Sequence, residues 1–255
     1  ILFSAYCVGC LALMSDFGTA LIFFVAFLCI AFLRTGDLPS IVMITAAAGF
    51  AGGIVLRFKP YVLARFAVWR HAWEYAQEEG YQQTRTMSAV ASGGLFGAGP
   101  EEAWLKYVGA ANTDLVFGVV SEEFGLLLAL CAAAAVILLG IYALRAAGRS
   151  RSSFYAIAAC ATAAMLVFQT TLNVLGSVDL LPLTGVTFPF VSMGGSSMLS
   201  CWGLLAYLQA AAPPPVSVKA APKAPAPAVK PPQATGFLDE LGVATDDIFG
   251  KEDAR

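Results

Sequence analysis

Residues 123–151 read EFGLLLALCAAAAVILLGIYALRAAGRSR, an apolar run that ends in a cluster of arginines. The run from 123 to 145 is close to the roughly 20 residues that a helix needs to cross the hydrocarbon core of a bilayer, so it predicts a transmembrane helix. Arg145, Arg149 and Arg151 crowd its downstream end. Because short loops rich in Arg and Lys stay in the cytoplasm, we expect this end of the helix to be cytoplasmic.

Similar apolar runs fill most of the chain. Hydrophobic residues make up 58% of the 255 residues and charged residues only 13%, whereas soluble proteins contain about 25% charged residues. This composition excludes an ordinary soluble protein. We expect full spans at residues 18–34, 39–57, 123–145, 153–175 and 190–211, and a shorter apolar segment at 2–14. The sequence therefore predicts an all-α, polytopic transmembrane helical bundle with about six spans over residues 1–211.

Two long polar regions lie between or after these spans. Counting outward from the arginine cluster, the connector at residues 58–121 is a large extracytoplasmic loop and the C-terminal tail is cytoplasmic. Eight of the 13 prolines fall between Pro213 and Pro232, so residues 212–255 are expected to form an extended, disordered Pro/Ala-rich tail. A short partner-binding segment at residues 236–250 is the alternative. The net charge of −2 gives no reason to expect a nucleic acid partner.

One acidic residue of the connector is a candidate for chemistry. Asp114 follows Asn112 and Thr113 at the end of the connector, between strongly apolar segments, and Glu122 and Glu123 open the next span. Acidic side chains within membrane segments are rare and mark functional sites, so an acid set between two apolar segments is a candidate. Helix capping explains one of the glutamates, whereas the adjacent pair favours a functional or loop-ordering role.

Basic and irregular segments accompany this acid. Arg57, Arg65 and Arg70 follow a span, where guanidinium groups either hold a pyrophosphate or anchor a helix at the lipid headgroups. Residues 185–197 read GVTFPFVSMGGSS, which combines a proline with paired glycines at an apolar boundary. Irregular backbone at membrane depth is tolerated only where it is buried in protein or lines a water-filled cavity. A broken helix beside a cavity is therefore expected here.

Several short motifs occur in a fixed order between about residue 12 and residue 211. They are Asp16-Phe17-Gly18-Thr19-Ala20, Gly80-Tyr81-Gln82, Gly93-Gly94 with Gly97-x-Gly99, Thr113-Asp114, Glu122-Glu123-x-Gly125, Pro182-x-Thr184-Gly185 and Pro189-Phe190-x-Ser192-x-Gly194-Gly195-Ser196-Ser197. Each motif is modest alone, but their joint order is specific. In this order and spacing the chain resembles the SEDS family (shape, elongation, division, sporulation), represented by FtsW, RodA and SpoVE.

The resemblance implies a peptidoglycan glycosyltransferase of the bacterial inner membrane, which polymerises lipid II and works with a class B penicillin-binding protein. Its donor substrate is a glycan linked to undecaprenyl pyrophosphate. By the same analogy, Asp114 matches the essential catalytic acid of the large extracytoplasmic loop. The positions that match substrate-binding motifs are Arg65, Gln82, Glu122, Glu123, Ser196 and Ser197. Since the chain begins at Ile1 without an initiator Met, we expect it to be the C-terminal part of a longer protein.

Two roles for Asp114 are open at this point: a general base on the attacking sugar hydroxyl, or a ligand of a divalent cation such as Mg²⁺ or Mn²⁺. Two other functions are also open. Broken helices and charged groups in a cavity suit a transporter (flippase) of lipid-linked precursors. Departures from the family pattern at Asn112, Leu115 and Met193 suit a noncatalytic membrane scaffold for a class B penicillin-binding protein.

Overall fold

The computed structural model describes residues 16–58, 60–150 and 152–211, together with Gly9, and these parts of the chain are helical and contain no strand. The all-α prediction is therefore confirmed. A 3₁₀ turn, Leu105–Tyr107, lies within the connector. In chain order the α-helices are α1 (Phe17–Thr35), α2 (Leu38–Phe58), α3 (Pro60–Val68), α4 (Tyr81–Gly93), α5 (Val116–Phe124), α6 (Leu126–Arg149), α7 (Ser153–Ser177) and α8 (Gly195–Ala211). The apolar segment predicted at 2–14 and the tail predicted at 212–255 lie outside the described residues.

Within the described ranges, three helices (α1, α6 and α7) are long and apolar enough to cross a membrane, and α2 contains a shorter apolar stretch at Leu38–Ile54. Large apolar side chains on these helices are exposed, such as Met43 and Phe50 on α2. A helix that is apolar on its exposed face as well as its packed face is typical of a membrane span. The protein is therefore membrane-integral. The helices that agree with predicted spans are α1 with 18–34, α2 with 39–57 and α7 with 153–175.

A glycine break shifts the start of the span predicted at residues 123–145. The short helix α5 ends at Phe124 and α6 begins at Leu126, because Gly125 between them has φ 94° and ψ 157°. A Cβ atom at Gly125 would lie 2.3 Å from the Leu95 carbonyl oxygen, so a residue without a side chain is needed there. The Leu126 amide donates to the Gly94 carbonyl at 2.9 Å, which fixes the connector against the first turn of α6.

The span predicted at residues 190–211 also begins late. Residues 190–194 form an irregular turn, and α8 starts only at Gly195. Phe190 has a φ of 65°, a value that residues with a side chain seldom adopt. The interruption expected near Pro189 is therefore present, and it places an irregular segment directly before the last described helix.

The connector at residues 58–121 is folded. It contains α3, α4, the 3₁₀ turn and the start of α5. Because Gly93 and Gly118 lack side chains, α4 and α5 approach closely: an added Cβ would lie 2.2 Å from Ser121 O at the first position and 2.5 Å from Thr86 Cγ2 at the second. Four buried side chains form a small core beneath the 3₁₀ turn, namely Ala89, Leu105, Ala111 and Val119. The connector therefore forms a packed layer that supports the segment before α5.

The helix α7 holds the bundle together. Alanines of α6, including Ala129 and Ala133, are buried with alanines of α7, including Ala159 and Ala163, so the two helices pack closely over most of their length. A second cluster, formed by Ile22, Leu172 and Val186, joins α1 to α7 and to the segment before α8. The connector, α1 and this segment are thus all supported by one helix.

Candidate functional site

A tight turn places Asp114 immediately before α5. The amides of Thr113 and Asp114 both donate to the Ala110 carbonyl, at 3.2 and 3.0 Å, and Ala110 has a left-handed φ of 64°. The side chain of Asp114 is half-buried. The acid predicted to be catalytic is therefore held on an ordered turn rather than on an open loop.

Three consecutive carbonyls, from Asn112 to Asp114, accept hydrogen bonds from α7 and from the segment before α8. The hydrogen bonds are Met193 N to Asn112 O at 2.8 Å, Ser192 Oγ to Thr113 O at 2.6 Å, and Asn173 Nδ2 to Asp114 O at 2.9 Å. We call this set the carbonyl clamp. Asn173 and Ser192 are both buried, so the two hydrogen bonds that they donate lie away from bulk water. The clamp fixes Asp114 against α7 and the segment before α8.

Asp114 and Arg65 meet across Gly185. A Cβ atom built on Gly185 would lie 3.3 Å from Asp114 Oδ2 and 3.6 Å from Arg65 Nη1, so the absence of a side chain leaves space for both groups. Arg65 Nη1 also donates to the Leu183 carbonyl at 2.8 Å. The structure therefore brings together the predicted acid and one predicted phosphate-binding cation, although they are distant in sequence.

A second carboxylate, Asp16, belongs to the same neighbourhood. Asp16 caps α1 by accepting from the Thr19 amide at 3.0 Å. The first turn of α1 lies against the segment before α8, since a Cβ at Gly18 would be 2.9 Å from the Thr184 carbonyl oxygen. This packing places the Asp16 carboxylate near enough to Asp114 to act on its charge.

The surroundings of Asp114 make its carboxyl a stronger base than an ordinary aspartate. Burial raises its pKa above the usual range, and the nearby Asp16 carboxylate raises the pKa further. The Thr113 side chain and the Arg65 guanidinium oppose this by lowering the pKa. Burial is the largest of these causes, so the pKa of the Asp114 carboxyl lies above its usual range and the carboxylate accepts a proton more readily than an ordinary aspartate does.

A groove beside Arg65 contains a second predicted binding residue, Gln82. The groove has a volume of about 240 Å³ and is lined mainly by polar side chains of α4 and by α3. Gln82 Nε2 donates to the Gly109 carbonyl at 3.2 Å, which ties the start of α4 to the turn that leads to Asp114. The lining residues are Ala64, Arg65, Val68, Glu79, Gln82, Gln83 and Leu183.

Glu122, one of the predicted site residues, lies in the interior of the connector. Its side chain is 1% exposed, and its two carboxylate oxygens accept from the backbone amides of Trp104 at 3.1 Å and Leu105 at 2.9 Å. Both oxygens are thus engaged by the protein itself, so Glu122 orders the connector and does not present a free carboxylate to a ligand. Glu123 is half-buried on the same turn. Both glutamates are at the far end of α5 from Asp114, roughly 12 Å along the helix at about 1.5 Å per residue.

The two serines at the start of α8 have different surroundings. Ser197 Oγ lies 2.8 Å from Thr187 Oγ1, and the Thr187 hydroxyl also accepts from Gln169 Nε2 at 3.0 Å. Ser197 is therefore linked through residues of the broken segment to α7. The neighbouring Ser196 is exposed, and its carbonyl accepts from the Ser200 hydroxyl at 2.8 Å.

Asp16, Asn173 and Ser192 were not among the predicted site residues, although Asp16 and Ser192 belong to the motifs quoted above. The missed signal for Asn173 is its polar side chain within an otherwise apolar span, a feature that marks buried functional positions in membrane helices.

Comparison with known proteins gives the same family. The family model of the cell cycle proteins FtsW, RodA and SpoVE matches residues 1–213. Over 196 residues the chain is 34% identical to the peptidoglycan glycosyltransferase RodA of Mycobacterium leprae (strain TN), covering 76% of this chain and 42% of that protein. Over 200 residues it is 33% identical to the probable peptidoglycan glycosyltransferase FtsW of Dichelobacter nodosus (strain VCS1703A), covering 75% and 50%.

A solved structure is also similar. It describes the structural coordination of polymerization and crosslinking by a peptidoglycan synthase complex, and its chain matches with a TM-score of 0.64 and 25% identity, over 82% of this chain and 60% of that one. The chain spans about half the length of the curated relatives described above, 42% and 50%. The resemblance seen in the motifs is therefore confirmed, and this chain belongs to the FtsW/RodA/SpoVE family of cell cycle proteins.

Proposed function

We propose that the full-length protein is a peptidoglycan glycosyltransferase that builds glycan strands from lipid II. The observation that carries the proposal is that the Asp114 carboxylate and the Arg65 guanidinium both lie beside Gly185, with Asp114 at an ordered and half-buried position in the connector. A base and a cation side by side suit the transfer of a glycosyl group from a pyrophosphate. The family and the names of the RodA and FtsW relatives support the same activity.

The chemistry assigns a separate task to each group. In the transfer, a hydroxyl oxygen of the incoming lipid II forms a bond to the anomeric carbon of the growing chain, with inversion. The bond from that carbon to the pyrophosphate oxygen breaks, and undecaprenyl pyrophosphate leaves with the electron pair. Asp114 takes the hydroxyl proton, a contribution of about 10²- to 10⁴-fold for a positioned base. Arg65 stabilises the charge that develops on the pyrophosphate.

Other predicted residues complete the site in this proposal. Gln82 shares the groove with Arg65 and would hold the polar part of a substrate. Ser196 and Ser197 would provide hydroxyls near the broken start of α8. Glu122 and Glu123 support the substrate site from the far end of α5 by ordering the connector.

A divalent cation fits the carboxylates near the turn. Within the described ranges, no group of three or more His, Cys, Asp or Glu side chains could hold a metal ion by itself, but Mg²⁺ is often held by one or two carboxylates together with substrate phosphates. Asp114 and Asp16 would be the protein ligands of Mg²⁺ or Mn²⁺. The ion would supply positive charge to the pyrophosphate, and Asp114 would then be its ligand in place of the general base.

The setting of the proposed reaction is the bacterial inner membrane. Residues 1–211 would form the transmembrane domain, the connector 58–121 would be extracytoplasmic, and residues 212–255 would be a cytoplasmic tail. Membrane lipids would surround the exposed apolar helix faces. A class B penicillin-binding protein is the proposed partner, which agrees with the peptidoglycan synthase complex to which the fold is similar.

The test uses the full-length protein purified with its partner synthase and labelled lipid II. Glycan-strand formation is compared between wild type, Asp114→Asn and a matched control, Glu101→Gln, which changes an exposed acid of the same connector. We expect Asp114→Asn to lose about 100-fold or more of the rate and the control to keep it.

Other outcomes would favour the alternatives. Equal polymerisation by wild type and Asp114→Asn would remove the catalytic role of this residue. Flipping of labelled lipid across vesicles without polymer would favour a transporter. Partner binding with neither activity would favour a scaffold.

A further inference from the structure

One carboxylate outside the site joins three segments that carry site residues. Asp179 lies just after α7, and its Oδ1 atom accepts from the Arg70 backbone amide at 3.0 Å and from Gln83 Nε2 at 3.0 Å. Arg70 follows α3, and Gln83 lies in the first turn of α4. We call this arrangement the Asp179 junction. It connects three parts of the chain through one oxygen atom.

Unusual backbone conformations at both ends of the junction show that it is held in place. Arg70 has φ 63° and Asp179 has φ 59°, in the left-handed region that residues with a side chain rarely adopt. Such conformations persist only where surrounding contacts hold them. Two further hydrogen bonds do so: Trp69 Nε1 donates to Leu180 O at 3.2 Å, and Gln83 Nε2 donates to Gly176 O at 3.0 Å.

Each of the three segments that meet at the Asp179 junction carries residues of the proposed site. The segment before Arg70 is α3, which carries Arg65. Gln83 is the neighbour of Gln82, which lines the groove beside Arg65. The segment after Asp179 leads to Leu183, which accepts the Arg65 hydrogen bond, and to Gly185, which separates Arg65 from Asp114. A shift at the junction would therefore move Arg65 and Gln82 relative to Asp114.

We propose that Asp179 is a positioning residue, which keeps Arg65 and Gln82 aligned with Asp114 for a substrate that carries a pyrophosphate. This inference rests on the proposed function. Asp179 acts through the backbone of Arg70 and the side chain of Gln83, and it does not itself touch the substrate. Displacing a binding group by a small distance weakens catalysis strongly even when the group is still present.

Three substitutions distinguish the effect of the Asp179 carboxylate from the effect of its left-handed backbone conformation. Asp179→Ala removes the acceptor and keeps a side chain at a left-handed φ. Asp179→Gly also removes the acceptor, but it removes the backbone strain as well, since glycine adopts positive φ readily. Asp179→Asn keeps a carbonyl oxygen that can accept. If Asp179→Ala fails to fold, Gln83→Leu removes one of the two donors and serves as the second test.

The first measurement is steady-state polymerisation by the full-length protein with its partner. We expect kcat/KM for lipid II to fall roughly tenfold or more in the Ala and Gly variants, mainly through KM, and to recover in the Asn variant. The Arg65 charge lowers the pKa of Asp114. If Arg65 moves away from Asp114 in these variants, the acidic limb of the pH profile should therefore shift to higher pH, as it would if Arg65 were removed. Wild-type kcat/KM and an unchanged pH profile in the Gly variant would overturn the proposal.

A second measurement does not depend on activity. Hydrogen exchange of the full-length protein should show faster exchange of the Arg70 amide in Asp179→Ala and wild-type exchange in Asp179→Asn. Unchanged exchange in Asp179→Ala would overturn the junction. If wild type makes no polymer, the proposed function is wrong, and the exchange result still decides whether Asp179 holds these segments.

Discussion

At the scale of single residues, Asp114 is acted on by two neighbours with opposite effects. The Asp16 carboxylate raises the pKa of the Asp114 carboxyl, and the Arg65 guanidinium lowers it. Burial raises the pKa more than either neighbour changes it. The pKa of Asp114 is therefore set mainly by its burial and is adjusted by the charges of Asp16 and Arg65.

These opposing charges predict opposite pH shifts. Asp114 works as a base only when it is deprotonated, so activity is present above its raised pKa and is lost as the pH falls through it. Arg65→Ala removes a cause that lowers the pKa, and the acidic limb of kcat/KM should move to higher pH. Asp16→Asn removes a cause that raises the pKa, and the limb should move to lower pH.

The measurement is the pH dependence of kcat/KM for lipid II with the full-length protein and its partner. Lys106→Ala is the matched control, because Lys106 is a cation of the same connector that is not among the causes of the shift. Its acidic limb should coincide with that of wild type. Shifts of Arg65→Ala and Asp16→Asn in the same direction would contradict this account of the site.

Asp114 is predictable from the sequence, whereas the residues that hold it in place are not. Asp114 stood out because an acid between apolar segments is unusual, and this contrast is local in the chain. Two of the three donors of the carbonyl clamp, Asn173 and Ser192, lie 59 and 79 residues away from their acceptors. A pairing over such distances is set by the packing of α7 and α8, which no local pattern describes.

At the scale of elements, the connector depends on one buried acid. The Glu122 carboxylate accepts hydrogen bonds from the Trp104 and Leu105 amides at the start of the 3₁₀ turn. The chain then continues from this turn through Ala110 to Asp114. Backbone amides that are buried without an acceptor cost about 1–3 kcal/mol each. The order of the connector is therefore coupled to a residue at the far end of α5.

Substitution of Glu122 should lower the free energy of unfolding, by less for Gln than for Ala. Glu122→Gln keeps one acceptor oxygen and turns an amide group toward the other donor, so we expect a loss of about 1–3 kcal/mol of unfolding free energy. Glu122→Ala leaves both amides without an acceptor and should lose more. The thermal unfolding midpoint of the purified protein should fall in the order wild type, Gln, Ala.

An exposed glutamate provides the control for this series. Glu102→Gln changes an acid of the same connector that is in contact with water, and such surface changes usually alter stability by no more than about 0.5 kcal/mol. Equal midpoints for Glu122→Ala and Glu102→Gln would show that the buried carboxylate does not support the connector.

Element boundaries were predictable where apolar runs coincide with helices and not where glycine interrupts them. The spans at α1, α2 and α7 follow the apolar runs closely. At Gly125 and at residues 190–194 the apolar run continues while the backbone turns, so the predicted spans begin too early. The helices of the connector escaped prediction because α3 and α5 are short and their stability comes from packing rather than from sequence propensity.

At the scale of the whole molecule, the orientation of the bundle decides whether the site can reach its substrate. We predict that the connector faces the outside and that the end of α6 with Arg145 and Arg149 faces the cytoplasm. Tyr107 is 82% exposed in the connector. Gly148, at the opposite end of α6 from the connector, has open space at its Cβ position.

These two positions provide a labelling test of the orientation. In a full-length protein with its native cysteines replaced, Tyr107→Cys should react with a membrane-impermeant maleimide in intact spheroplasts. Gly148→Cys should react only after the membrane is permeabilised. The reverse labelling pattern would place Asp114 in the cytoplasm and would exclude an extracytoplasmic polymerase.

The carbonyl clamp also bears on how the protein is made. Its acceptors are synthesised well before its donors, since Asn173 and Ser192 leave the ribosome 59 and 79 residues after the groups they hold. During translation the turn that carries Asp114 therefore lacks these hydrogen bonds until α7 and the segment before α8 have entered the membrane. A nascent chain that ends before α7 would carry the Asp114 carboxylate without the hydrogen bonds that align it, so the site forms only after α7 and the segment before α8 have been inserted.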